Sequence, residues 1–408
     1  MTLKCVLCSA EYPALQVRYR CDCGGTLDVL PASAPVPLSL FDERLSSKAP
    51  LDRSGVWRFR ELIAPGLTAH VTRREGNTGL YQSPRVDDYC GVPIRLKHEG
   101  ENPTGSFKDR GMTVAVSVAK QLGMAGVACA STGNTSASMA AYAAMAGLQA
   151  TVFIPDGDIA FGKLAQAMAY GAKTLQIAGD FDDAMRLVEQ VCSERGLYLV
   201  NSINPFRIEG QKAIGFELLQ DLDWQVPDWI ALPGGNLGNN TAIAKGLMEL
   251  HAAGLIPRLP RIAVIQAEGA NPLYTAWHGD RQVVPVKADT VATAIKIGNP
   301  VSWRKSLRGL VATQGVVEQV SDAQILDAKA VVDAAGIGAE PASCATVAGV
   351  RKLVAAGVIG PDEVVCGVLT GNLLKDPDLV VDYHQGGHPR SNPPVRCEAT
   401  LDAVLKAL

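Results

Sequence analysis

From about residue 94 the chain alternates short apolar runs with longer stretches of helical period, and this alternation restricts the possible folds more than any other feature. IRLKHE at 94–99 and VACA at 127–130 each lead into a helical pattern, the first from about Phe107 to Leu122, the second from Ser136. ATVFIP, TLQIA, LYLV, WIALP, RIAVIQAEG and EVVCGVLTG are further apolar runs, most of them followed by a helical segment such as FDDAMRLVEQVCSERG. Strands taking turns with helices of this length predict βαβ units and mainly parallel sheet, buried on both faces. The expected class is α/β, and 408 residues leave room for two or three domains. Residues 383–394, YHQGGHPRSNPP, read as a linker, and VRCEATLDAVLKAL as a C-terminal helix.

Charge narrows the function. Charged residues make up 19% of the chain and leave a net charge of -3, which gives no bulk electrostatic case for nucleic acid or an anionic membrane as partner. The longest uncharged segment, SASMAAYAAMAGLQA from Ser136, is too short to span a bilayer and reads as a buried helix. No apolar stretch of signal-peptide length opens the chain, so a cytoplasmic location and a small-molecule substrate are expected. Six of the ten cysteines are scattered singly and read as small buried hydrophobes in a reducing compartment.

Ligands of open α/β sheets gather at the C-terminal ends of strands, where loops enter helices. Three polar, glycine-bearing loops have that position: STGNTS at 131–136, GGNLGNN at 234–240 and TGNLLKDP at 370–377. GGNLGN has the form of a phosphate cradle, although a tight strand-to-helix turn has the same form. It lacks the Gly-Lys-Ser/Thr of a nucleoside-triphosphate loop and the glycine spacing of a dinucleotide fingerprint. STGNTS offers hydroxyl, amide and backbone donors suited to a carboxylate, against the plainer reading of an N-cap. In ENPTGSFKDRGM, Lys108 and Arg110 stand at the positive end of a helix, where cations are disfavoured. That setting lowers the pKa of Lys108 and frees its amine for Schiff-base chemistry. A phosphate cradle, a carboxylate cradle and an activated lysine together point to pyridoxal phosphate acting on an amino acid.

ENPTGSFKDRGM, STGNTSAS, NSINPFRIEGQK, LPGGNLGN, AIKIGNPVSW, EPAS and LTGNLLKDP occur in the order found in threonine synthases. Over essentially its whole length the sequence resembles that family of fold-type II pyridoxal phosphate enzymes. The resemblance implies two open, mainly parallel sheets flanked by helices, and conversion of O-phospho-L-homoserine and water into L-threonine and phosphate by γ-elimination and β-addition. It implies that Lys108 binds the cofactor covalently and is the catalytic base. By the same analogy Asn134, the loop Gly235, Asn236, Leu237, Gly238 and Asn239, and Thr370 bind the cofactor. Thr132, Gly133 and Thr135 take the substrate carboxylate; Ser131, Asn201, Arg207 and Asn236 take its phosphate. A homodimer is implied too, with a large domain over 31–112 and 206–382, a small mobile domain over 113–205, and a linker and helix over 383–408.

Two departures stand out: Asn372 and Leu373 where the family commonly has His and Gly, and Lys296 where it has Arg. Both suggest a reshaped substrate end and keep open an alternative, a related enzyme that eliminates or replaces at Cβ of O-phosphoserine or threonine. Separately, Cys5, Cys8, Cys21 and Cys23 form C-x2-C and C-x-C pairs separated by twelve residues. Four thiolates suffice for a closed structural zinc site, with free or packed thiols as the alternative. CDCGGTLDV resembles the ribbon at the start of long-form family members, which makes residues 1–30 a zinc-ribbon-like segment.

Overall fold

A computed structural model describes residues 1–30, 36–156 and 161–408, so the expected start of the large domain at residue 31 lies outside the described residues. The chain opens with a small antiparallel ribbon, β1 (Thr2–Cys5), β2 (Glu11–Pro13) and β3 (Leu27–Leu30), in the order β2-β1-β3. Two larger sheets follow. β4 (Leu80–Tyr81), β5 (Ile94–His98), β10 (Trp229–Pro233), β11 (Arg261–Ala267), β12 (Val316–Val320) and β13 (Val365–Leu369) form one, ordered β12-β11-β10-β13-β5-β4. All its pairs are parallel except β4 with β5. The second contains β6 (Gly126–Ala130), β7 (Gln149–Pro155), β8 (Lys173–Ile177) and β9 (Leu197–Leu199), ordered β8-β7-β6-β9 and parallel throughout.

The central strands read WIALP, GVACA and VCGVL and are buried along their whole length, which is what helices on both faces of a parallel sheet require. The helices that carry the site are α1 (Lys108–Gln121), α2 (Asn134–Ala146), α3 (Pro205–Asp221), α4 (Gly238–Ala252), α5 (Trp303–Ala312) and α6 (Pro341–Ala355). Helix α1 is buried from Asp109 to Ala119, and α2 from Ser136 to Tyr142 and Ala143, because alanine, serine and glycine let neighbouring backbones approach. At Gly210 a Cβ would lie 1.9 Å from the Arg110 carbonyl oxygen, so α1 and α3 cross there at a contact only glycine permits.

Two expectations need correction. A helix over Pro377–Gln385 runs into the stretch read as linker, and the C-terminal helix covers only Leu401–Ala407, its N-cap Thr400 accepting from the Ala403 amide. Of the six scattered cysteines, Cys90, Cys129, Cys192, Cys344 and Cys366 are buried, whereas Cys397 is exposed in the polar tail.

Candidate active site

The loops that follow β5, β6, β10 and β13 meet at one end of the two sheets. Lys108 begins α1, and the turn before it is pinned to the end of β13: the Phe107 amide donates to the Thr370 carbonyl at 3.0 Å. One residue further, Asp109 accepts from the Thr104 amide at 2.7 Å and from Ser138 Oγ at 2.6 Å, tying the turn to α2. Arg110 answers the question of the second misplaced cation. Its guanidinium is fully buried and grips Glu99 at 2.6 Å and Glu217 at 2.8 Å, joining α1 to α3 and to the turn after β5.

Lys108 lines a cavity with Asn134, Arg207, Asn236, Glu340 and Thr370. Desolvation there, then the nearby Arg207 charge, lower its pKa to about 7, with Glu340 opposing. The helix end invoked from sequence is not the main cause; burial is. Arg207 is itself buried and its pKa is pushed down to about 10 by desolvation; one nitrogen donates to the Val200 carbonyl at 3.0 Å, while its Nε has no partner.

The loop from Gly235 through Asn236, Leu237 and Gly238 to Asn239 forms the opposite wall. Leu237 takes a left-handed φ of 62°, turning the chain sharply into α4, whose first N–H groups have no partner within the helix. A Cβ on Gly235 would lie 3.0 Å from Ile295 Cα, so the loop is glycine where space is shortest. Both polar atoms of the Asn239 side chain are buried without a hydrogen bond, as is Gln211 Oε1. Orphaned donors at a helix N-terminus suit a phosphate, and an amine with a pKa near neutrality suits an aldehyde. These residues fit pyridoxal phosphate.

Several expected site residues lie elsewhere or are engaged. Ser131, Thr132, Gly133 and Thr135 flank Asn134 but are not part of the cavity wall; Ser131 Oγ accepts from the Gly133 amide at 3.2 Å. Asn201 bonds both the amide and the carbonyl of Ala130, at 2.9 and 3.0 Å, joining the end of β6 to the segment after β9. Asn236 lines the cavity with its amide held by Ser202 Oγ and the Val301 N–H, each at 2.7 Å. Lys296 pairs with Asp289 at 2.8 Å on the surface. Asn372 accepts from the Leu374 amide, and Leu373 packs against Gly338. These three positions lie off the cavity wall.

Glu340 carries no signal in the sequence beyond its place in EPAS. Burial raises its pKa, against the hydrogen bonds donated by Asn134 Nδ2 at 3.1 Å and Thr370 Oγ1 at 3.0 Å. A Glu-Pro pair at a helix start was the available signal, since Glu340 precedes Pro341 at the head of α6.

The pyridoxal-phosphate dependent enzyme family matches residues 71–371. The threonine synthase of Methanosarcina acetivorans is 47% identical over 411 residues, spanning 100% of this chain and 98% of that protein. The chain belongs to the threonine synthase family. Another member, from Methanocaldococcus jannaschii, is 42% identical and covers 100% of this chain and 99% of its own length. Among solved structures, threonine synthase from Escherichia coli superposes with a TM-score of 0.72 at 17% identity, covering 100% of this chain and 94% of that one. Maize serine racemase gives 0.65 at 18%, over 86% and 98%. At such identities the likeness establishes the common fold, fold-type II, which threonine synthases share with racemases.

Proposed function

We propose that this pyridoxal phosphate enzyme converts O-phospho-L-homoserine and water into L-threonine and phosphate. The observation that carries the reading is the pairing, across one cavity of a threonine synthase chain, of a lysine with a pKa of about 7 and a buried arginine with an unused donor. When bound, the cofactor supplies an aldehyde for an amine and a ring that spreads the charge left by a departing proton. Lys108 would hold that aldehyde, and Gly235, Asn236, Leu237, Gly238 and Asn239 would hold the cofactor phosphate. Thr370 and Asn134, fixed by the Glu340 carboxylate, orient the ring. With the substrate in place, Lys108 would act as the base at substrate Cα and, after passing that proton on, at Cβ, a role suited to an amine titrating near neutrality. A proton returns to Cγ once phosphate has left, and water supplies the hydroxyl at Cβ and the proton at Cα. Arg207 holds the substrate phosphate through its departure from Cγ, with a fork of donors that suits a phosphate. Thr132, Gly133 and Thr135 bind the carboxylate, and Ser131, Asn201 and Asn236 assist Arg207. The cavity measures about 70 Å³, so loading requires its walls to part. A mobile unit over 113–205 supplies that movement, and the separate four-stranded sheet supports the reading.

Cys5, Cys8, Cys21 and Cys23 bind a structural zinc ion. All four sulfurs lie within 4.8 Å of one another, near the edge of about 3.8 Å expected for a tetrahedron of Zn–S bonds. No described helix is long and apolar enough to cross a membrane. The enzyme works in the cytoplasm as a homodimer.

Incubation with O-phosphohomoserine and O-phosphoserine side by side tests the reading. Threonine and phosphate from the first and no product from the second are expected; the reverse would establish a β-eliminating enzyme instead.

A further inference from the structure

Away from the catalytic cavity, a second cavity of about 320 Å³ opens between the N-terminal ribbon and α5. It is in the lower part of the size range of small-molecule sites. Arg281, Arg304, Lys305 and Arg308 all contribute to its wall, in a protein whose net charge is -3. Asp28 balances only part of this charge: buried in β3, it lies 2.9 Å from Lys305 and 2.5 Å from Arg308. Among the described residues, Arg281 and Arg304 form no ion pair. Each guanidinium is held over an indole instead, Arg281 at 3.4 Å from the Trp277 centroid and Arg304 at 4.1 Å from that of Trp303. Arg281 also has a φ of 65°, a left-handed conformation uncommon for a residue other than glycine. The ribbon side is apolar, with Val6 and a half-exposed Leu7 beside Trp303.

We infer that this cavity binds an organic phosphate of nucleoside-monophosphate size. Its anion lies between Arg281 and Arg304, already oriented by their indoles, and its flat body lies against Trp303 and Leu7. Inorganic phosphate would leave most of the space unfilled, and a neutral ring would leave the arginines unpaired. The site connects to the catalytic loop: the two residues before α5, Val301 and Ser302, donate their N–H groups to Asn236, at 2.7 Å to its side chain and 3.4 Å to its carbonyl. Occupancy therefore changes the grip of the glycine loop, and with it the KM for the phosphorylated substrate.

The test uses holoenzyme without substrate, titrated separately with the purine and pyrimidine nucleoside monophosphates, adenosine and inorganic phosphate. Calorimetry gives affinity, and tryptophan fluorescence reports on the site, since Trp303 lines this cavity and no tryptophan lines the catalytic one. At least one nucleoside monophosphate is expected to saturate, with an affinity about tenfold above that of adenosine or phosphate. The Arg281→Ala/Arg304→Ala variant should lose about tenfold in that affinity while forming threonine at the wild-type basal rate. Absence of saturable binding by every nucleoside monophosphate would overturn the proposal. So would equal binding by the double variant, which would assign the phosphate to Arg207. Both overturning results are binding measurements made without substrate, so neither bears on threonine formation.

Discussion

Lys108 owes its chemistry to its surroundings. An exposed lysine is almost wholly protonated at neutral pH, whereas desolvation and Arg207 bring this one to about 7. The neutral, nucleophilic fraction therefore rises with pH through that value. Covalent capture of pyridoxal phosphate by the apoprotein should accelerate with pH and be half-maximal near about 7, read as the growth of the visible absorbance; a rise centred near the ordinary lysine value would contradict the assigned environment. For Arg207→Lys the charge survives but the fork is lost. Its KM for O-phosphohomoserine should rise about tenfold or more with a smaller change in kcat, and steady-state kinetics showing an unchanged KM would remove the arginine from the phosphate site. Lys108 stood out by its setting at a helix start, Arg207 and Thr370 through the family motifs that contain them, and all three line the cavity. Glu340 did not stand out, because its partners Asn134 and Thr370 are 206 and 30 residues away.

Element by element, the site depends on how α1 is seated. Arg110 is fixed by Glu99 and Glu217, and Glu217 also receives Lys97 at 2.7 Å and Arg58 at 3.3 Å, all deeply buried. Coulombic attraction within this cluster outweighs desolvation and holds Glu217 well below the usual carboxylate range. Arg110→Met leaves Glu99 buried without a cation, while Glu217 keeps Lys97 and Arg58, and should destabilise the fold by about 3 kcal/mol in chemical denaturation; a change within error would show that the network does not hold the helix. Strand and helix positions along 94–269 followed the apolar alternation closely, VACA becoming β6 and WIALP β10. β12 escaped because VVEQV lies at a sheet edge and mixes half-buried polar residues into a short run. The helical reading of 395–400 failed because that segment is exposed and polar, with nothing to pack against.

At the scale of the whole molecule, the ribbon is fastened at two places. Tyr19 Oη accepts from the Leu199 amide at 2.8 Å on β9, and Asp28 is clasped by Lys305 and Arg308 of α5. Burial raises the Asp28 pKa, but the two cations more than reverse this and bring it to about 2. A depressed carboxylate stabilises the fold above its unfolded value, and that contribution is lost as pH falls toward about 2. Asp28→Asn should therefore cost about 2 kcal/mol at neutral pH and flatten the acid limb of the stability curve; thermal melts at several pH values that match wild type would refute this. Sequence supplied the four cysteines but not the docking, because neither Asp28 nor Tyr19 carries a local signal for a partner well over a hundred residues away. Strand order was equally hidden, since β13 lies between β10 and β5, which precede it by well over a hundred residues.

The central claim is that Lys108, rather than any other amine, holds the cofactor. Lys375 also lies close by, but its Nζ is bound to the Thr104 carbonyl at 2.5 Å and to Gln166 at 2.6 Å. Borohydride reduction of the holoenzyme followed by peptide mass mapping separates the two. The phosphopyridoxyl group is expected on the peptide containing Lys108 and to disappear in Lys108→Ala. A label on Lys375, or no label with the cofactor present, would contradict the account.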